Sequence, residues 1–462
     1  MAMIEWWFWP IVIYGLGIIA ALDVIWRGRS SQSMAAWVLA LILMPVLTLP
    51  IYLLFGARRF RGYRRARRQG DTVLGPIGIT AGNRLSPFIA TPTALTKPFT
   101  RLFRMPEIHH NECTLLINGE ATFNRLFQRI REAKHVICIQ FYILRDDALG
   151  QELLHLLRQK VQQGVAVYLL YDEIGSHKLS RRYINALRQS GIDVSRFNPI
   201  RFRYRWQLNF RNHRKVTIID EQYAFVGGHN LGMEYLHQQG YWRDTHVEIH
   251  GPAALSFQLS FVEDWHWATS TVLPLPWAVT CGRGPTSVMC LNPGPSDYQD
   301  SGATVVTHLI NQAQHRCWLS APYFIPDATL INALQLAVLR GIDVRVLLPE
   351  KADNWLVQQA MRSYVQELTH YGIHFHTYQK GFMHQKVILV DDDTACIGSM
   401  NLDNRSLHIN FESAALIHDA SFAQQVKTML EIDFTHARPS QLRYNIGQRL
   451  LARSTRLLAP IL

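Results

Sequence analysis

The chain has 462 residues, 48% of them hydrophobic, which is enough for roughly two or three domains with substantial cores. This composition excludes an intrinsically disordered chain, because such chains have too few apolar residues to bury. The formal net charge is +12. Over half of that surplus lies in a basic segment of seven arginines without an acidic neighbour, namely Arg58, Arg59, Arg61, Arg64, Arg65, Arg67 and Arg68.

Two apolar runs, at about residues 6–26 and 34–55, begin the chain. A bilayer core requires about 20 apolar residues per helix, so residues 1–57 are predicted to form a two-helix transmembrane hairpin. A cleaved signal peptide is disfavoured, because no basic segment precedes the first run and no small-residue cleavage site follows it. The basic segment comes directly after the second run, and the positive-inside rule therefore predicts that everything after it lies in the cytoplasm.

Beyond a proline-punctuated basic segment and linker at 58–106, the sequence repeats itself. Residues 133–142 resemble residues 313–323, and residues 164–172 resemble residues 341–349. Strand and helix patterns alternate in both copies, which indicates α/β sandwich domains whose helices cover a mixed sheet. The predicted boundaries are 107–270 for the first domain, 271–300 for a second linker, 301–440 for the second domain and 441–462 for a tail. The tail interleaves leucine with arginine, which is typical of a basic amphipathic helix on lipid or of a helix packed on the domain.

Each half contains one His-x-Lys-x4-Asp motif, followed by a Gly-rich turn that ends in Asn. The motif residues are His213, Lys215, Asp220 and Asn230 in the first half, and His384, Lys386, Asp391, Ser399 and Asn401 in the second. Side chains two apart on a strand share a face, so each motif pairs an imidazole with an ammonium group. Two core histidines beside surface lysines would be the alternative, but the repeated Gly-rich turn argues against it.

This pairing suits phosphoryl transfer. One neutral imidazole can attack phosphorus, the other can protonate the leaving oxygen, and the two ammonium groups can stabilise phosphoryl charge. Asp220 and Asp391 end their strands next to another acidic residue, which predicts a supporting role in the turn rather than a part in catalysis. No acidic cluster for Mg²⁺ accompanies the motifs, so neither a metal nor another cofactor is predicted.

These residues resemble the paired HKD motifs of the phospholipase D superfamily. The runs 398–406, 410–412 and 241–244, together with the N-terminal hairpin, are similar to bacterial cardiolipin synthases, and the resemblance covers nearly the whole chain. It implies two tandem phospholipase D-like α/β/α sandwich domains related by a pseudo-two-fold axis. It also implies a multi-pass protein of the bacterial inner membrane with its catalytic domains on the cytoplasmic side.

The resemblance also implies roles for single residues. His213 would form a phosphohistidine, and His384 would protonate the departing alcohol. A carboxylate after each motif would orient a histidine of the opposite half, and we assign Glu412 to His213 and Asp244 to His384, although the sequence leaves the reverse assignment open. His229 is not part of the family motif, and its role stays open. The basic stretch before the first motif, with Arg203, Arg205 and Arg211, would bind anionic headgroups unless it is a solvated loop.

The implied reaction takes a phosphatidyl group from one phosphatidylglycerol and transfers it to a second, giving cardiolipin and glycerol at a lipid bilayer. The alternatives are a membrane phospholipase D hydrolase, a transferase that uses phosphatidylethanolamine, and a nuclease of the same superfamily. A nuclease, and with it a nucleic-acid partner, is disfavoured because the basic segment adjoins a membrane span rather than the site. Headgroup preference, the net direction of the exchange and assembly into a homo-oligomer stay open.

Overall fold

The computed structural model of the chain describes most of the sequence. The described backbone comprises residues 2–27, 31–56, 61–197, 209–236, 242–279, 282, 284–297, 299–440 and 445–457. Within it, the side chains of residues 2–7, 27, 32, 54–55, 61–62 and 64–72 are outside the description. The seven-arginine segment, and Arg203 and Arg205, therefore lie outside the described side chains. The chain divides into two compact units, residues 1–60 with 200–210 and residues 61–199 with 211–462.

The first unit contains three apolar helices, α1 (Ala2–Arg27), α2 (Ser31–Leu43) and α3 (Pro45–Phe55). Helix α1 is the one helix of the described chain that is long and apolar enough to cross a membrane, and its 19 residues Phe8–Trp26 form the candidate span. The second predicted span, residues 34–55, is divided at Met44, whose backbone leaves the helical region at φ −136° and ψ 56°. Pro45 explains the division, because a residue before proline is disfavoured in the α conformation.

These three helices pack against one another as a hairpin. A small apolar cluster of Ala20, Ala21, Val24, Leu41 and Tyr52 joins α1 to α2 and α3. Tyr52 Oη donates a 2.6 Å hydrogen bond to Asp23 Oδ2, so a carboxyl group in an apolar helix is satisfied inside the hairpin. This is the arrangement that a polar group requires where water is absent.

The predicted linker at 58–106 is wrong for most of its length, because this segment is largely helical. It forms α4 (Arg61–Leu85), a 3₁₀ turn (Ser86–Phe88) and α5 (Thr96–Phe103). Pro76 lowers the helix propensity of α4, but the helix packs against α9 (Ala254–Thr269), and Tyr63 Oη donates a 2.9 Å bond to Asp264 Oδ1. Tertiary packing outweighs local propensity here, so α4 is part of the second unit.

The rest of the second unit consists of two halves whose main strands and helices follow one another in the same order. The first half comprises β1 (Ile108–Ile117), α6 (Asn118–Glu132), β2 (Val136–Phe141), α7 (Ala148–Gln162), β3 (Ala166–Asp172), α8 (Arg181–Gln189), β4 (Asp193–Phe197), β5 (Val216–Ile219), β6 (Tyr223–Gly227), β7 (Trp242–Arg243), β8 (Thr245–His250) and α9, with a 3₁₀ turn at Met233–Tyr235. The second comprises β9 (Thr286–Leu291), α10 (Ser301–Gln312), β10 (Arg316–Ser320), β11 (Phe324–Ile325), α11 (Ala328–Leu339), β12 (Asp343–Pro349), α12 (Trp355–Thr369), β13 (His374–Tyr378), β14 (Phe382–Met383), β15 (Val387–Val390), β16 (Thr394–Gly398), β17 (Leu402–Asp403), α13 (Asn404–His408), β18 (Ala414–His418) and α14 (Ala420–Thr435), followed by β19 (Ala437–Pro439) and α15 (Ile446–Ser454).

Both halves contribute to one 15-stranded mixed sheet. The strand order β1-β8-β6-β5-β2-β3-β4 of the first half recurs in the second as β9-β18-β16-β15-β10-β12-β13. The halves join where β1 and β9 pair antiparallel, with Ile108 opposite Val288 and Asn111 opposite Thr286. This repeated order about a central antiparallel pair gives the pseudo-two-fold relation that the sequence repeat predicted.

The second predicted linker, residues 271–300, contains a central strand of this sheet. All six residues of β9, Thr286–Leu291, are buried, so the second repeat begins near 286 and not at 301. The prolines at 285 and 293 flank this short apolar run. These prolines are the reason that the sequence predicts a linker here. Prolines just outside a strand are nevertheless compatible with strand pairing between them.

Helices cover both faces of the sheet. One apolar core joins α6, α7 and α8 to the first-half strands, and a second core joins α10, α11 and α12 to the second-half strands. On the opposite face, α9 packs against strands of the first half and α14 against strands of the second. The result is an α/β/α sandwich in each half.

The C-terminal helix α15 packs on the second half. Arg456, just after it, donates 2.7 Å to Glu367 Oε2 of α12, and its guanidinium lies 4.1 Å from the ring centroid of Tyr364. Ile446 and Leu450 on the same helix are exposed. Of the two predicted arrangements for the tail, packing on the domain is therefore the one observed for residues 445–457.

Candidate active site

The His and Lys of each motif lie just before a strand in the middle of the sheet. His213 and Lys215 precede β5, His384 and Lys386 precede β15, and all four side chains are buried. Lys215 Nζ donates 2.7 Å to the carbonyl oxygen of His213, and Lys386 Nζ donates in the same way to the carbonyl oxygen of His384. Each ammonium group is therefore held beside the histidine of its own motif.

Each motif histidine is bound to the opposite half by two hydrogen bonds. The His213 amide donates 2.8 Å to Phe411 O, and its Nδ1 donates 2.8 Å to Glu412 Oε2. The His384 amide donates 2.8 Å to Arg243 O, and its Nδ1 donates 2.5 Å to Asp244 Oδ2. Because a carboxylate occupies Nδ1 in both rings, the tautomer is fixed and Nε2 is the nitrogen available for chemistry.

The two motifs share one electrostatic environment. Burial lowers the pKa of His213 to about 4, and the charges of Lys215 and Lys386 add to the effect, although Glu412 opposes it. Burial also lowers the pKa of His384 well below its usual value, with further contributions from both lysines and from His213. Both imidazoles are therefore neutral at pH 7, which is the form in which a ring nitrogen can act as a nucleophile.

The lysines respond to the same surroundings. Burial lowers the pKa of Lys386 to about 8, opposed by the nearby carboxylates of Asp244 and Glu412. Burial lowers the pKa of Lys215 well below its usual value, again opposed by Glu412. An anion placed between the motifs would favour the protonated form of both lysines, so the site is built to receive negative charge.

Glu412 is held by a set of polar side chains from its own half. Ser399 Oγ donates 2.5 Å to Glu412 Oε2, while Ser406 Oγ and Asn410 Nδ2 donate 2.7 Å and 3.2 Å to Oε1. Burial would raise the pKa of Glu412, but His213, Lys215 and Ser399 outweigh it and lower that pKa. The sequence predicted a supporting role for Ser399 but did not single out Ser406 or Asn410.

The first half holds Asp244 differently. Its Oδ1 accepts a 2.7 Å bond from the amide of Thr245, and Gly228 takes the position that Ser399 has in the second half. A Cβ on Gly228 would lie 2.0 Å from Asp244 Oδ1, so only glycine fits. The shorter side chain of Asp244 thus lies directly against the backbone at Gly228, whereas the longer side chain of Glu412 accepts a hydrogen bond from the hydroxyl of Ser399.

Asp220 and Asp391, grouped with the catalytic residues in the sequence motif, lie away from the imidazoles. Asp220 accepts three bonds of 2.7–3.0 Å from the amides of residues 134–136, where β2 begins. Asp391 accepts equivalent bonds of 2.7–3.1 Å from residues 314–316 at the start of β10. Their carboxylates fix the turn that precedes a central strand, a position that favours the predicted supporting role over a part in catalysis.

The two motif asparagines also bond to loops rather than to an imidazole. Asn230 Oδ1 accepts a 3.2 Å bond from the Ile143 amide, and its Nδ2 donates 2.9 Å to Tyr235 Oη. Asn401 is buried beside Asp403. Burial raises the pKa of Asp403, and a hydrogen bond from Asn401 partly opposes that rise. Both asparagines therefore stabilise the loops that surround the site.

The residue between His and Lys in each motif, Arg214 or Gln385, belongs to a buried polar network that the sequence did not reveal. Arg214 donates 2.8 Å to Asp264 on α9 and 3.0 Å to the carbonyl of Glu412. In the second half Gln385 donates 3.0 Å to Asp433 on α14, and Arg243 reaches across from the first half to the same carboxylate at 2.8–2.9 Å. These networks connect the segments that carry the histidines and their carboxylates.

His229 forms a buried pair with His246. The two Nδ1 atoms are 3.0 Å apart, and burial lowers the pKa of His246 to about 3 and that of His229 well below its usual value. Met400 and Ala414 occupy the corresponding positions in the second half. The neutral histidine pair therefore replaces apolar packing, and it lies beside the site rather than between the motifs.

Aromatic rings surround the motif histidines. The Tyr142 ring lies 4.8 Å from that of His213, and the rings of Tyr235 and Trp242 lie 5.7 Å and 5.3 Å from that of His384. Such rings restrict the access of water to a reacting centre. Of the three arginines predicted to bind headgroups, Arg211 is the one in the described chain, and it is half-buried two residues before His213.

Comparison with known proteins identifies the family. A profile described as "Cardiolipin synthase, PLD-like domain" matches residues 126–265 and 306–433, and each match contains one motif. The chain belongs to the cardiolipin synthase family of the phospholipase D superfamily. A second profile, "Phospholipase_D-nuclease N-terminal", matches residues 15–56 of this family member. The predicted family and the tandem phospholipase D-like architecture are confirmed.

Individual relatives agree with this placement in the cardiolipin synthase family. Cardiolipin synthase A from Pseudomonas putida is 42% identical over 98% of this chain and 97% of its own length. Cardiolipin synthase A from Pseudomonas aeruginosa is also 42% identical, over 97% of this chain and 94% of its own. A solved structure of phosphatidylserine synthase from Haemophilus influenzae Rd KW20 has a TM-score of 0.63 at 18% identity, covers 80% of this chain and 100% of its own, and shares the fold.

Proposed function

We propose that this protein is a phosphatidyltransferase that converts two phosphatidylglycerol molecules into cardiolipin and glycerol. The observation that carries this proposal is the reciprocal arrangement of the motifs, in which each neutral histidine is held by a carboxylate of the opposite half. Such a site offers two imidazoles and two ammonium groups to one phosphodiester. Relatives that are 42% identical over nearly the whole chain bear the name cardiolipin synthase A.

The first displacement forms a covalent intermediate. His213 Nε2 attacks phosphorus of the donor lipid and forms a P–N bond while the P–O bond to the headgroup glycerol breaks. His384 donates a proton to the departing oxygen. Burial and the charges of Lys386 and Lys215 lower the pKa of His384; the negative charge of the bound phosphodiester offsets the two lysine charges and so favours the protonated form.

The second displacement uses the same groups in reverse. A terminal hydroxyl of the second phosphatidylglycerol attacks phosphorus, and its proton passes to His384. The P–N bond breaks, and its electron pair returns to His213 Nε2. Lys215 and Lys386 stabilise the phosphoryl oxygens in both steps, while Glu412 and Asp244 stabilise the positive charge that develops on the two imidazoles.

The N-terminal unit is proposed to hold this chemistry at the bacterial inner membrane. Helix α1 has the length and composition of a span, and α2 with α3 supplies a second apolar segment that is divided at Pro45. The basic segment at residues 58–68 directly after the second apolar run favours a multi-pass hairpin with the catalytic unit in the cytoplasm. A lipid substrate then reaches the site from the membrane to which the enzyme is anchored.

The assay that tests the proposed function uses the purified full-length protein in vesicles of phosphatidylglycerol. We expect cardiolipin and free glycerol to form in equal amounts, since each transfer releases one headgroup. Phosphatidic acid as the sole lipid product would instead identify a phospholipase D hydrolase. Adding headgroup-labelled phosphatidylethanolamine tests the alternative donor, because release of its label with cardiolipin formation would show that this lipid replaces one phosphatidylglycerol.

The pH dependence should reflect Lys386. Its pKa is lowered to about 8, so kcat/KM is expected to decline as the pH rises through 8, where the ammonium group loses its proton and no longer stabilises phosphoryl charge. A Lys386→Arg variant keeps its charge and should lose the part of this alkaline decline that Lys386 causes, although its maximal rate will be lower because the guanidinium has a different shape. Rates measured from pH 6 to 10 test this, and a wild-type profile that stays flat up to pH 10 would contradict it.

A further inference from the structure

Helix α15 is attached to the catalytic unit through one face. Ala452 and Thr455, the last of which follows the helix directly, are buried. Arg456 donates 2.9 Å to the carbonyl of Ser363 and 2.7 Å to Glu367 Oε2, and both of these residues belong to α12. The helix is therefore fixed to the second half, which also contains the second His-Lys motif.

The large apolar side chains of α15 lie on the opposite face. Ile446 and Leu450 are 88% and 67% exposed, and Leu457, in the turn after the helix, is 83% exposed. Residues four apart share a helix face, and position 457 comes about three helical turns after 446, so these three side chains form one apolar stripe. A helix on a soluble domain normally turns such a stripe toward the core. In α15 the stripe points away from the domain.

Arginines border this apolar stripe. Arg449 and Arg453 are exposed and lie four residues apart on one side of it. Within the part of the chain that the structure describes, neither side chain forms an ion pair with a carboxylate. Residues 441–462 contain four arginines and no aspartate or glutamate. Positive charge without a local counter-charge therefore lies next to an exposed apolar surface.

This combination fits the surface of a bilayer that contains anionic phospholipid. The apolar side chains can enter the boundary between headgroups and acyl chains, while the long arginine side chains extend toward the phosphate groups. A second copy of the chain fits less well, because contact through equivalent faces would bring the arginines of both copies together. Single exposed apolar residues are common on proteins, but three on one short helix beside such cations indicate a binding surface.

We propose that α15 lies on the surface of an anionic bilayer with the apolar stripe inserted, and that it thereby holds the second half of the catalytic unit against the membrane. This contact is additional to the N-terminal hairpin. It does not depend on the proposed reaction, because it requires lipid but no turnover.

The test places a fluorescent label on the stripe of the full-length protein, reconstituted in phosphatidylglycerol vesicles that contain a nitroxide-labelled lipid as quencher. Leu450→Cys carries an environment-sensitive label, and Leu339→Cys, at an 84% exposed leucine of α11, is the matched control. The unsubstituted protein, treated in the same way, measures the labelling of native cysteines. We expect the label at 450 to be quenched and its emission to shift to the blue, whereas the label at 339 should show neither effect.

Replacing the arginines tests the contribution of charge. Arg449→Gln and Arg453→Gln, each combined with Leu450→Cys, should lower the ratio of quenched to unquenched label about fivefold, as expected for one basic residue near an anionic surface. Vesicles of phosphatidylcholine should weaken the quenching in the same direction. Arg158→Gln is the matched control, because it removes an exposed arginine of α7 and should leave the ratio unchanged.

An unquenched label at 450 in phosphatidylglycerol vesicles would overturn the proposal, and so would equal quenching at 450 and 339. Energy transfer between copies labelled at 450, in detergent as well as in vesicles, would identify a second copy of the chain as the occupant instead. A failure of the proposed function is distinguishable, because a protein that forms no cardiolipin can still show the quenching.

Discussion

Replacing His213 by Ala is expected to abolish cardiolipin formation, with a loss of at least about 10⁴-fold in kcat, and His384→Ala should cause a loss of similar size. In the proposed mechanism both histidines act on the same phosphorus atom, one as the nucleophile and the other as the acid and base. The reciprocal carboxylates hold each Nδ1, so neither ring can take over the role of the other without losing its orientation.

A substrate with an acidic leaving group separates the two roles. Phosphatidyl-p-nitrophenol does not need a proton for its leaving oxygen, so His384→Ala should still release nitrophenolate from this substrate in a single burst. His213→Ala should not, because it lacks the nucleophile. Trapping the enzyme with lipid labelled at phosphorus should accordingly label the His384 variant and leave the His213 variant unlabelled.

The control for these variants is His155→Ala, which removes an exposed histidine of α7. It should keep full activity, and circular dichroism should show that all three variants are folded. Full transfer activity in either motif variant would remove that histidine from the mechanism. Labelling of His213→Ala instead of His384→Ala would reverse the two roles.

The sequence alone predicts most of the residues that the structure brings together at the candidate active site, because the motif repeats. His-x-Lys positions two side chains within three residues, and the strand that follows each copy places both copies at equivalent points of the sheet. The carboxylates were harder to place, since Glu412 lies 199 residues from His213 along the chain. The resemblance to the phospholipase D superfamily supplied that link, and Asp244 and Glu412 follow their motifs at matching positions of the two halves.

Other residues carried no comparable signal. Arg214 and Gln385 occupy the same motif position with different chemistry, so the repeat gave no reason to single out the middle residue. Their partners, Asp264 and Asp433, lie in helices whose pattern is that of any amphipathic helix. Only the packing of α9 and α14 against the sheet shows that these carboxylates are buried next to the motifs.

The errors in the fold have a common physical cause. Prolines at 76 and 285 lie in the two predicted linkers, and the apolar run 34–55, which contains Pro45, is predicted as one continuous span. Proline removes one hydrogen bond donor and restricts its neighbour, but its effect depends on what packs nearby. Helix α4 tolerates Pro76 because α9 packs along it, whereas the apolar run of the hairpin is divided at Met44.

Glu412→Gln and Asp244→Asn should each lower kcat by about 10²- to 10⁴-fold while leaving the chain folded. Each replacement keeps the shape of the side chain but removes the charge that stabilises a protonated imidazole. The pH profile should also change, because both carboxylates raise the pKa of Lys386 against the effect of burial. Without either one that pKa falls further below 8, so the alkaline decline of kcat/KM should begin at a lower pH.

Combining variants tests whether each carboxylate acts through its histidine. In His213→Ala with Glu412→Gln, the second change should add little to the first, because groups that work as a unit are not additive. Glu412→Gln combined with Asp244→Asn should lose more than either change alone, since the two pairs serve different histidines. Glu248→Gln is the matched control: this buried carboxylate binds Arg125 and Arg129 at 2.6 Å, so its loss affects stability without shifting the pH profile. An unchanged alkaline limb in both carboxylate variants would show that Glu412 and Asp244 do not set the charge state of the site.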